Sequence, residues 1–364
     1  MNFVKSNNEN AIVSIAYENP VLFEDENTFG VSHLLEHMIY ESVSDKEEEY
    51  SEHCITSNAY TSSNEVVFFI EGLSEEIENY RNNFIDRIIN YKPTKEHFEK
   101  QIKIVTQEYN DAISDNTSRI YYNTLIKNYN FCSSIGTKKA LDGLTFEAVE
   151  NFFNNFFKPS KIIIGDKEEP SIKEYPFTFM KNENYNKLFD TYEEKKINED
   201  CIEVTMSSKL IPVNEDSYYV PFICKMLGDG LKSPLYTEIR EKQGLIYWIA
   251  ANTVSVGDNS IVLIRTSTSK KNIDKVKETI YEVLNNNIKY LTKERYNICY
   301  NNLRIKTKLR AQNTVDLVDE FLESNRKELK ATRNLDKISY EGMMEYYKKW
   351  FISDWVFQSQ YDFV

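Results

Sequence analysis

Two histidines and a glutamate stand in this sequence at the spacing of a zinc site. His33, Glu36 and His37 form the pattern His-x-x-Glu-His within a stretch of helical periodicity. On a helix, His37 lies about 40° to one side of His33 and Glu36 about 60° to the other, so all three share one face. The two imidazoles can therefore converge on one tetrahedral zinc ion. Glu36 beside them can act as general base on a zinc-bound water.

The alternative for this pattern is an ordinary amphipathic helix whose histidines and glutamate face water. The residues between and after the histidines argue against it, because Leu34, Leu35, Met38 and Ile39 are all apolar. Apolar residues at such density indicate a buried neighbourhood. The surroundings therefore favour a metal site.

A catalytic zinc ion needs a third protein ligand and keeps one position open for water. Glu108 is the candidate, on a predicted helix that Thr94 caps. At helical spacing, Glu108 falls on the same side of this helix as Gln101, Ile104 and Val105. An unpaired carboxylate among apolar residues is costly, and a cation partner would explain it. The alternative is a carboxylate whose tip is solvated.

The elements that must position these residues can be read from hydrophobic periodicity. The metal helix is predicted from about Gly30 to Ser42, after a buried strand at 11–17. The charged stretch 43–53 predicts a loop, and 58–70 predicts one or two strands. Further helices are predicted at 73–91, 95–114, 118–129 and 146–157, and a short buried strand at 161–164.

Two domains follow from the length of 364 residues and from a charged, proline-containing stretch at 167–200, which predicts a linker. The domains are then 1–166, with the zinc site, and 201–364. The second repeats the order of strands and helices, so we expect two similar α+β domains, each a mixed or antiparallel sheet covered by helices. Its predicted strands are 201–206, 246–254, 260–267 and 355–363, and its first helices are 218–226 and 234–244.

Composition excludes several classes of function. Acidic residues number 57 against 44 basic ones, a net charge of −13, which argues against nucleic-acid binding and favours basic or polar peptides as partners. No run of 18 apolar residues predicts a membrane span. The five cysteines are far apart and form no Cys-x-x-Cys, so they predict no thiolate zinc site. With no signal peptide, we expect a reducing, cytoplasmic setting.

The His-x-x-Glu-His motif resembles that of the inverzincins, the pitrilysin-type family of zinc peptidases. The chain is most similar to the short two-domain branch that includes the bacterial processing peptidases and the mitochondrial processing peptidase β subunit. The resemblance extends beyond the motif to Asn58–Ser62, to 140–144, to 158–166 and to 228–247. It covers most of the chain from about residue 11 onward.

The resemblance implies one zinc ion per chain, held by His33, His37 and Glu108. It also implies that the segment Asn58, Ala59, Tyr60 and Thr61 is an edge strand that pairs with the substrate. The chain departs from the family in three places. The first strand of the family's N-terminal domain has no counterpart, the motif before Gly136 is reduced, and Gln101 replaces an acidic residue seven positions before the third ligand. None of these departures removes a zinc ligand.

In the second half, Arg240 and Tyr247 match an arginine and a tyrosine that the family brings to the active site. Members of this size resemble half of a clam-shell chamber, which implies a homodimer or a heterodimer with a related subunit. The alternative makes Tyr247 a core residue of the strand 246–254 and Arg240 a surface charge paired with Glu238 or Glu241.

The sequence thus predicts a zinc-dependent endopeptidase that hydrolyses extended peptides or small unstructured proteins inside a chamber. Glu36 is the expected general base, and Arg240 and Tyr247 are the expected contacts to substrate and transition state. The alternative function is a non-catalytic subunit of the same fold that holds peptides or serves assembly and needs no zinc.

Overall fold

The computed structural model describes residues 1–131, 134–178, 192, 197–256, 259–324, 334–352 and 354–364. Within these ranges, no helix has both the length and the apolar character that a bilayer crossing requires. The chain divides into two compact units. The first takes 1–114 and the described parts of 130–189 and 309–322, and the second takes the rest.

The first half of the chain forms five strands and seven helices among the described residues. The strands are β1 (Asn2–Lys5), β2 (Asn10–Glu18), β3 (Thr56–Thr61), β4 (Glu65–Leu73) and β5 (Lys161–Asp166). The helices are α1 (Val31–Ser44), α2 (Glu47–Glu52), α3 (Ser74–Ile89), α4 (Lys95–Ser114), α5 (Asn116–Tyr129), α6 (Lys138–Gly143) and α7 (Phe146–Phe156).

The strands of this half build one mixed sheet in the order β1-β5-β2-β4-β3. Only the β1–β5 pair is parallel, and the other pairs are antiparallel. β2 lies in the middle and is buried from Ala11 to Tyr17, which explains its continuous apolar sequence. β3 lies at the edge, with β4 as its one partner in the described sheet. This edge position leaves one side of β3 available for another strand.

Two expectations for this half were wrong. The charged stretch 43–53 contains the short helix α2, whose first turn carries three glutamates, Glu47 to Glu49. Negative charges in the first turn stabilise a helix, because they interact favourably with its N-terminal dipole. The acidic residues of this stretch are therefore compatible with a helix as well as with a loop. The N-terminal residues form the strand β1, where no first strand was expected. Its partner β5 lies far along the chain, so no local sequence pattern predicts the pairing.

The second half contains β6 (Ile202–Ser207), β7 (Ile211–Pro212), β8 (Ile249–Val256), β9 (Asn259–Thr268) and β10 (Val356–Ser359). They form an antiparallel sheet in which β9 pairs with β6, β7 and β8, and β10 pairs with β6. The helices are α8 (Tyr219–Gly228), α9 (Pro234–Tyr236), α10 (Ile273–Asn285), α11 (Asn287–Tyr290), α12 (Lys293–Arg310), α13 (Thr314–Ser324) and α14 (Tyr340–Trp350). The expected fold class, two α+β domains, is confirmed.

Each unit includes a helix from the other half of the sequence. α13 packs on the first sheet, where Val318 and Leu322 join the core around Ile12 and Ile163. α5 belongs to the second unit, and its Thr124 is hydrogen-bonded to Thr205 of β6. The boundaries 1–166, 167–200 and 201–364 stay a prediction, because most of 179–196 lies outside the described residues.

The second unit buries an acidic side chain that lies outside the predicted zinc site. Glu203 on β6 is 6% exposed, and its backbone N–H donates to Gln360 Oε1 at 2.9 Å. Burial raises the pKa of Glu203 to about 7, and Asp115 adds to this. Thr117 and Arg265 act in the opposite direction. The carboxyl therefore gains a proton on folding at mildly acidic pH.

We expect Glu203 to lower the stability of the second unit as pH rises. The unfolded carboxyl ionises near its usual pKa of about 4.3, so between that pH and about 7 the folded chain holds the extra proton. The stabilisation that comes from this extra proton is therefore lost as pH rises from about 4.3 to about 7. Above about pH 7 the contribution of this group to the free energy of unfolding no longer changes. Glu203→Gln should raise the unfolding free energy at pH 8 by roughly 3 kcal/mol relative to its effect at pH 4. Denaturant unfolding at both pH values measures this, and an equal effect at both would contradict it.

Candidate metal centre

The helix α1 begins at a buried carboxylate. Glu24 is fully buried and accepts the backbone N–H groups of Gly30 at 2.9 Å and of Ser32 at 2.8 Å. These are N–H groups that a helix start leaves without intrahelical partners, and a negative charge there is favourable. Leu34 and Leu35 bury the inner face of the helix. Glu24 and these leucines together fix where α1 begins and which face it turns inward.

The loop before α1 also depends on two glycines. Gly30 is the N-cap residue with a φ of 95°, and Gly136 has a φ of 78°. Both values favour glycine. A Cβ added at Gly136 would lie 2.4 Å from the backbone oxygen of Phe29 and 2.7 Å from Cα of Gly30. Backbone atoms on both sides leave no room for a side chain at Gly136.

Gly136→Ala is therefore expected to lower the free energy of unfolding by roughly 2–4 kcal/mol, from backbone strain and steric overlap. Gly143→Ala is the matched control, because a Cβ there meets no atom within 4 Å. Denaturant unfolding of both variants measures the difference. Equal stability of the two variants would contradict this role of Gly136.

The two histidines of α1 and the glutamate of α4 converge on one point. His33 Nε2 lies 3.2 Å from His37 Nε2, and Glu108 Oε2 lies 3.4 Å from each of these nitrogens. Among the described residues, these three side chains are also a group whose ligand atoms lie close enough together to hold one metal ion. Two ligands of a tetrahedral zinc ion at about 2.0–2.1 Å are about 3.3–3.4 Å apart. The three side chains therefore fit zinc in both chemistry and spacing.

The protonation of His33 suits a metal ligand. Burial, together with the charge of His37, lowers the pKa of His33 to about 4. The ring is then neutral at physiological pH, the form that ligates metals. Among the described residues, His33 Nδ1 is buried without a hydrogen-bond partner. Within the described part of the chain, that nitrogen has no outer hydrogen bond of the kind that metal-bound histidines usually make to a protein group.

Glu108 reaches the histidines from a half-exposed position. Its side chain is 47% exposed, and Ile104 one turn earlier is also exposed, whereas Val105 is buried. The expectation that Glu108 lies on a buried apolar face of its helix was therefore wrong, although the carboxylate does lie beside the two histidines. Packing of α4 against α1 places the carboxylate, and part of that contact is a hydrogen bond from Gln101 Nε2 to Glu41 Oε2 at 2.5 Å.

Glu36 lies on α1 beside the cluster, near His37 and Glu108. Glu36 is 8% exposed, and its Oε2 accepts a hydrogen bond from Thr61 Oγ1 at 2.9 Å. Burial raises the pKa of Glu36, while the charge of His37 and the bond from Thr61 oppose the rise. A carboxyl whose pKa is raised from its usual range is a better proton acceptor when ionised.

The predicted substrate segment forms β3 as expected. Asn58, Ala59, Tyr60 and Thr61 all lie in this strand, which pairs with β4 from Thr56↔Glu71 to Thr61↔Val66. Thr61 ends the strand next to Glu36. The edge of β3 that is not paired with β4 therefore starts beside the general-base candidate.

Arg240 and Tyr247 contact each other in the second unit. The Arg240 guanidinium lies 4.8 Å from the ring centre of Tyr247 and 4.9 Å from that of Tyr236, whose hydroxyl accepts its hydrogen bond. Tyr247 is 76% exposed and precedes β8, so the alternative of a core tyrosine was wrong. Glu238 forms an ion pair with Lys242, and among the described residues no ion pair joins Arg240 to Glu238 or Glu241. An exposed tyrosine against an arginine is available to contact another molecule.

Comparison with known proteins matches both halves of the chain to one family. The family model "Insulinase (Peptidase family M16)" matches residues 6–135, and "Peptidase M16 inactive domain" matches 143–303. An uncharacterized zinc protease of Rickettsia felis is 26% identical over 79% of this chain and 74% of its own. An uncharacterized zinc protease of Bacillus subtilis is 22% identical over 70% and 68%, respectively.

Solved structures share the fold at low sequence identity. A protease from Helicobacter pylori has a TM-score of 0.83 at 14% identity, over 98% of this chain and 95% of that one. A putative M16-like peptidase from Alicyclobacillus acidocaldarius has a TM-score of 0.74 at 15% identity, over 98% and 94%. The fold, with its two α+β units, is thus shared along nearly the whole length.

Proposed function

The chain belongs to peptidase family M16, in its short two-domain form, and from this membership we propose that it is a zinc-dependent endopeptidase. The observation that carries the proposal is the triangle of His33, His37 and Glu108, with edges of 3.2–3.4 Å. Glu36 lies within the same helix face, where a general base is needed. A zinc ion held there would supply a Lewis acid that acidifies water and polarises a peptide carbonyl.

The residues of this chain then perform the proton transfers. Glu36 accepts a proton from the attacking water as the water oxygen bonds to the carbonyl carbon. The same carboxyl returns the proton to the amide nitrogen as the carbon–nitrogen bond breaks, which releases a carboxylic acid and an amine. The acid then gives its proton to the amine, so the final products are a carboxylate and an ammonium group. The burial of Glu36 keeps this transfer away from bulk solvent.

The proposed substrates are extended peptides and small unstructured proteins. The free edge of β3 offers backbone groups to an added strand, a mode that selects extended conformation and tolerates many sequences. The net charge of −13 favours basic or polar segments. A chamber built from two half-shells and a cytoplasmic setting, both predicted from the sequence, remain parts of this proposal.

The second candidate function is a peptide-holding or assembly subunit without catalysis. It is supported by the description of the model that matches 143–303 as an inactive domain of the family. That description concerns the second half, whereas the proposed ligands and base lie in the first. The presence of His33, His37, Glu108 and Glu36 together supports the peptidase.

Digestion of an unstructured peptide pool tests the proposal. Purified protein supplied with one equivalent of zinc should produce new internal termini that mass spectrometry identifies, and a chelator should prevent them. Peptides that bind but emerge intact from zinc-loaded protein would favour the holding subunit and contradict the peptidase.

We further propose that the active form is a dimer in which Arg240 and Tyr247 of one chain serve the metal centre of the other. Tyr247 would donate to the oxyanion of the transition state, and Arg240 would hold a substrate carbonyl. The exposure of Tyr247 and its contact with Arg240 support a role toward a second molecule. A heterodimer with a related subunit would use the same two side chains.

Subunit mixing tests the shared site. Glu36→Gln and Tyr247→Phe chains should each be nearly inactive alone. After random exchange about half of the dimers are mixed, and each has one of two sites intact, so activity should recover to about a quarter of wild type. No recovery despite proven exchange would show that each site is built within one chain.

A further inference from the structure

The metal helix α1 and the edge strand β3 are tied together by two hydroxyl groups of the strand. Ser57 Oγ lies 2.9 Å from the Tyr40 hydroxyl, and Thr61 Oγ1 donates to Glu36 Oε2 at 2.9 Å. Ser57 and Thr61 are four residues apart on a strand, so both side chains turn to the same face. The proposed substrate strand therefore presents a row of side chains to the helix that carries the proposed base.

The hydrogen bond from Thr61 adds a directional constraint to a side chain that is otherwise held by burial. In the described part of the chain, the Glu36 carboxylate accepts this single hydrogen bond, and it falls on Oε2. A glutamate has three rotatable side-chain bonds, and fixing them costs conformational entropy. Holding Oε2 limits the rotation of the carboxylate and leaves Oε1, among the described residues, without a hydrogen bond.

We propose that Thr61 is a positioning residue for Glu36: its hydroxyl fixes the carboxylate in the orientation that proton transfer needs. This inference rests on the proposed function, in which Glu36 is the general base. Because Thr61 also ends the strand that pairs with the peptide, one residue links the position of the substrate backbone to that of the base. A small displacement of a catalytic group lowers rates steeply, and misplacement by about 1 Å can cost about 10²-fold.

Three variants test the inference. Thr61→Val removes the hydroxyl and keeps the shape, Thr61→Ser keeps the hydroxyl, and Thr178→Val makes the same change at an exposed position outside β3. We expect Thr61→Val to lower kcat about 10–100-fold with KM and zinc content unchanged. Thr61→Ser should restore most of the rate, and Thr178→Val should match wild type.

A second measurement does not depend on activity. The infrared difference between wild-type and Glu36→Gln protein isolates the carboxylate band of Glu36, and this band responds to hydrogen bonding. Thr61→Val should shift the band in metal-free protein, and Thr61→Ser should leave it in place.

The possible outcomes separate this inference from the proposed function. Wild type that cleaves no peptide would refute the peptidase and this inference with it. An active wild type with an equally fast Thr61→Val variant would refute the positioning role alone. A rise in KM without a fall in kcat, or an unmoved Glu36 band, would also refute it, because the hydroxyl would then not orient the base.

Discussion

Glu36→Gln is expected to lower kcat about 10²–10⁴-fold while zinc stays bound. Glutamine keeps the shape of the side chain and its acceptor oxygen for Thr61, but it cannot accept the proton of the attacking water. Glu36 is proposed as base and not as ligand, so zinc content should not change. Burial already disfavours the charged carboxylate, so the neutral amide should not destabilise the fold.

The kinetics of Glu36→Gln need zinc analysis and thermal unfolding on the same preparation. Glu48→Gln is the matched control, since it makes the same charge change at an exposed position of the neighbouring helix α2. This control should retain wild-type kcat. Full activity in Glu36→Gln protein free of wild-type contamination would refute the assigned mechanism, whatever the zinc content.

Glu108→Gln is expected to weaken zinc binding by at least roughly 10²-fold. Loss of an outer-shell partner alone costs about 10–100-fold, and here the one charged ligand becomes a neutral amide. The motivation is the equal distance of 3.4 Å from Glu108 Oε2 to both histidine nitrogens. Competition with a chromophoric chelator measures the affinity without any need for activity.

The control for Glu108→Gln lies on the same helix. Glu99 is exposed on α4 and forms an ion pair with Lys95 at 3.8 Å. It lies on a different face of this helix from Glu108. Glu99→Gln should leave zinc affinity unchanged. Equal affinities of wild type and Glu108→Gln would remove Glu108 from the ligand set.

The local part of the site could be predicted from the sequence because it depends on one helix. The spacing of His33, Glu36 and His37 is enough to place them on one face once the segment is helical. Helix facing and family resemblance predicted Glu108 as the third ligand, and its carboxylate does lie near both histidines. The expectation that this carboxylate is buried among apolar residues was wrong. The position of that carboxylate comes from the packing of α4 on α1, which sequence spacing does not contain.

The parts of the fold that escaped prediction depend on distant partners. β1 exists because it pairs with β5, and α13 joins the first unit because Val318 and Leu322 fill a gap over its sheet. The bond between Thr61 and Glu36 likewise requires β3 to lie beside α1. One signal was present, since Ser57 and Thr61 have the period-2 spacing of side chains on one face of a strand.

Zinc titration of metal-free protein, followed by peptide cleavage, tests the central claim most directly. Among the described residues the three side chains form a single such cluster, so cleavage of an unstructured peptide should rise linearly with added zinc and level off at one equivalent per chain. His33→Ala and Glu108→Gln proteins should show no such break. Cleavage that needs no zinc, or zinc binding at one equivalent without any cleavage, would contradict the account of this protein as a zinc endopeptidase.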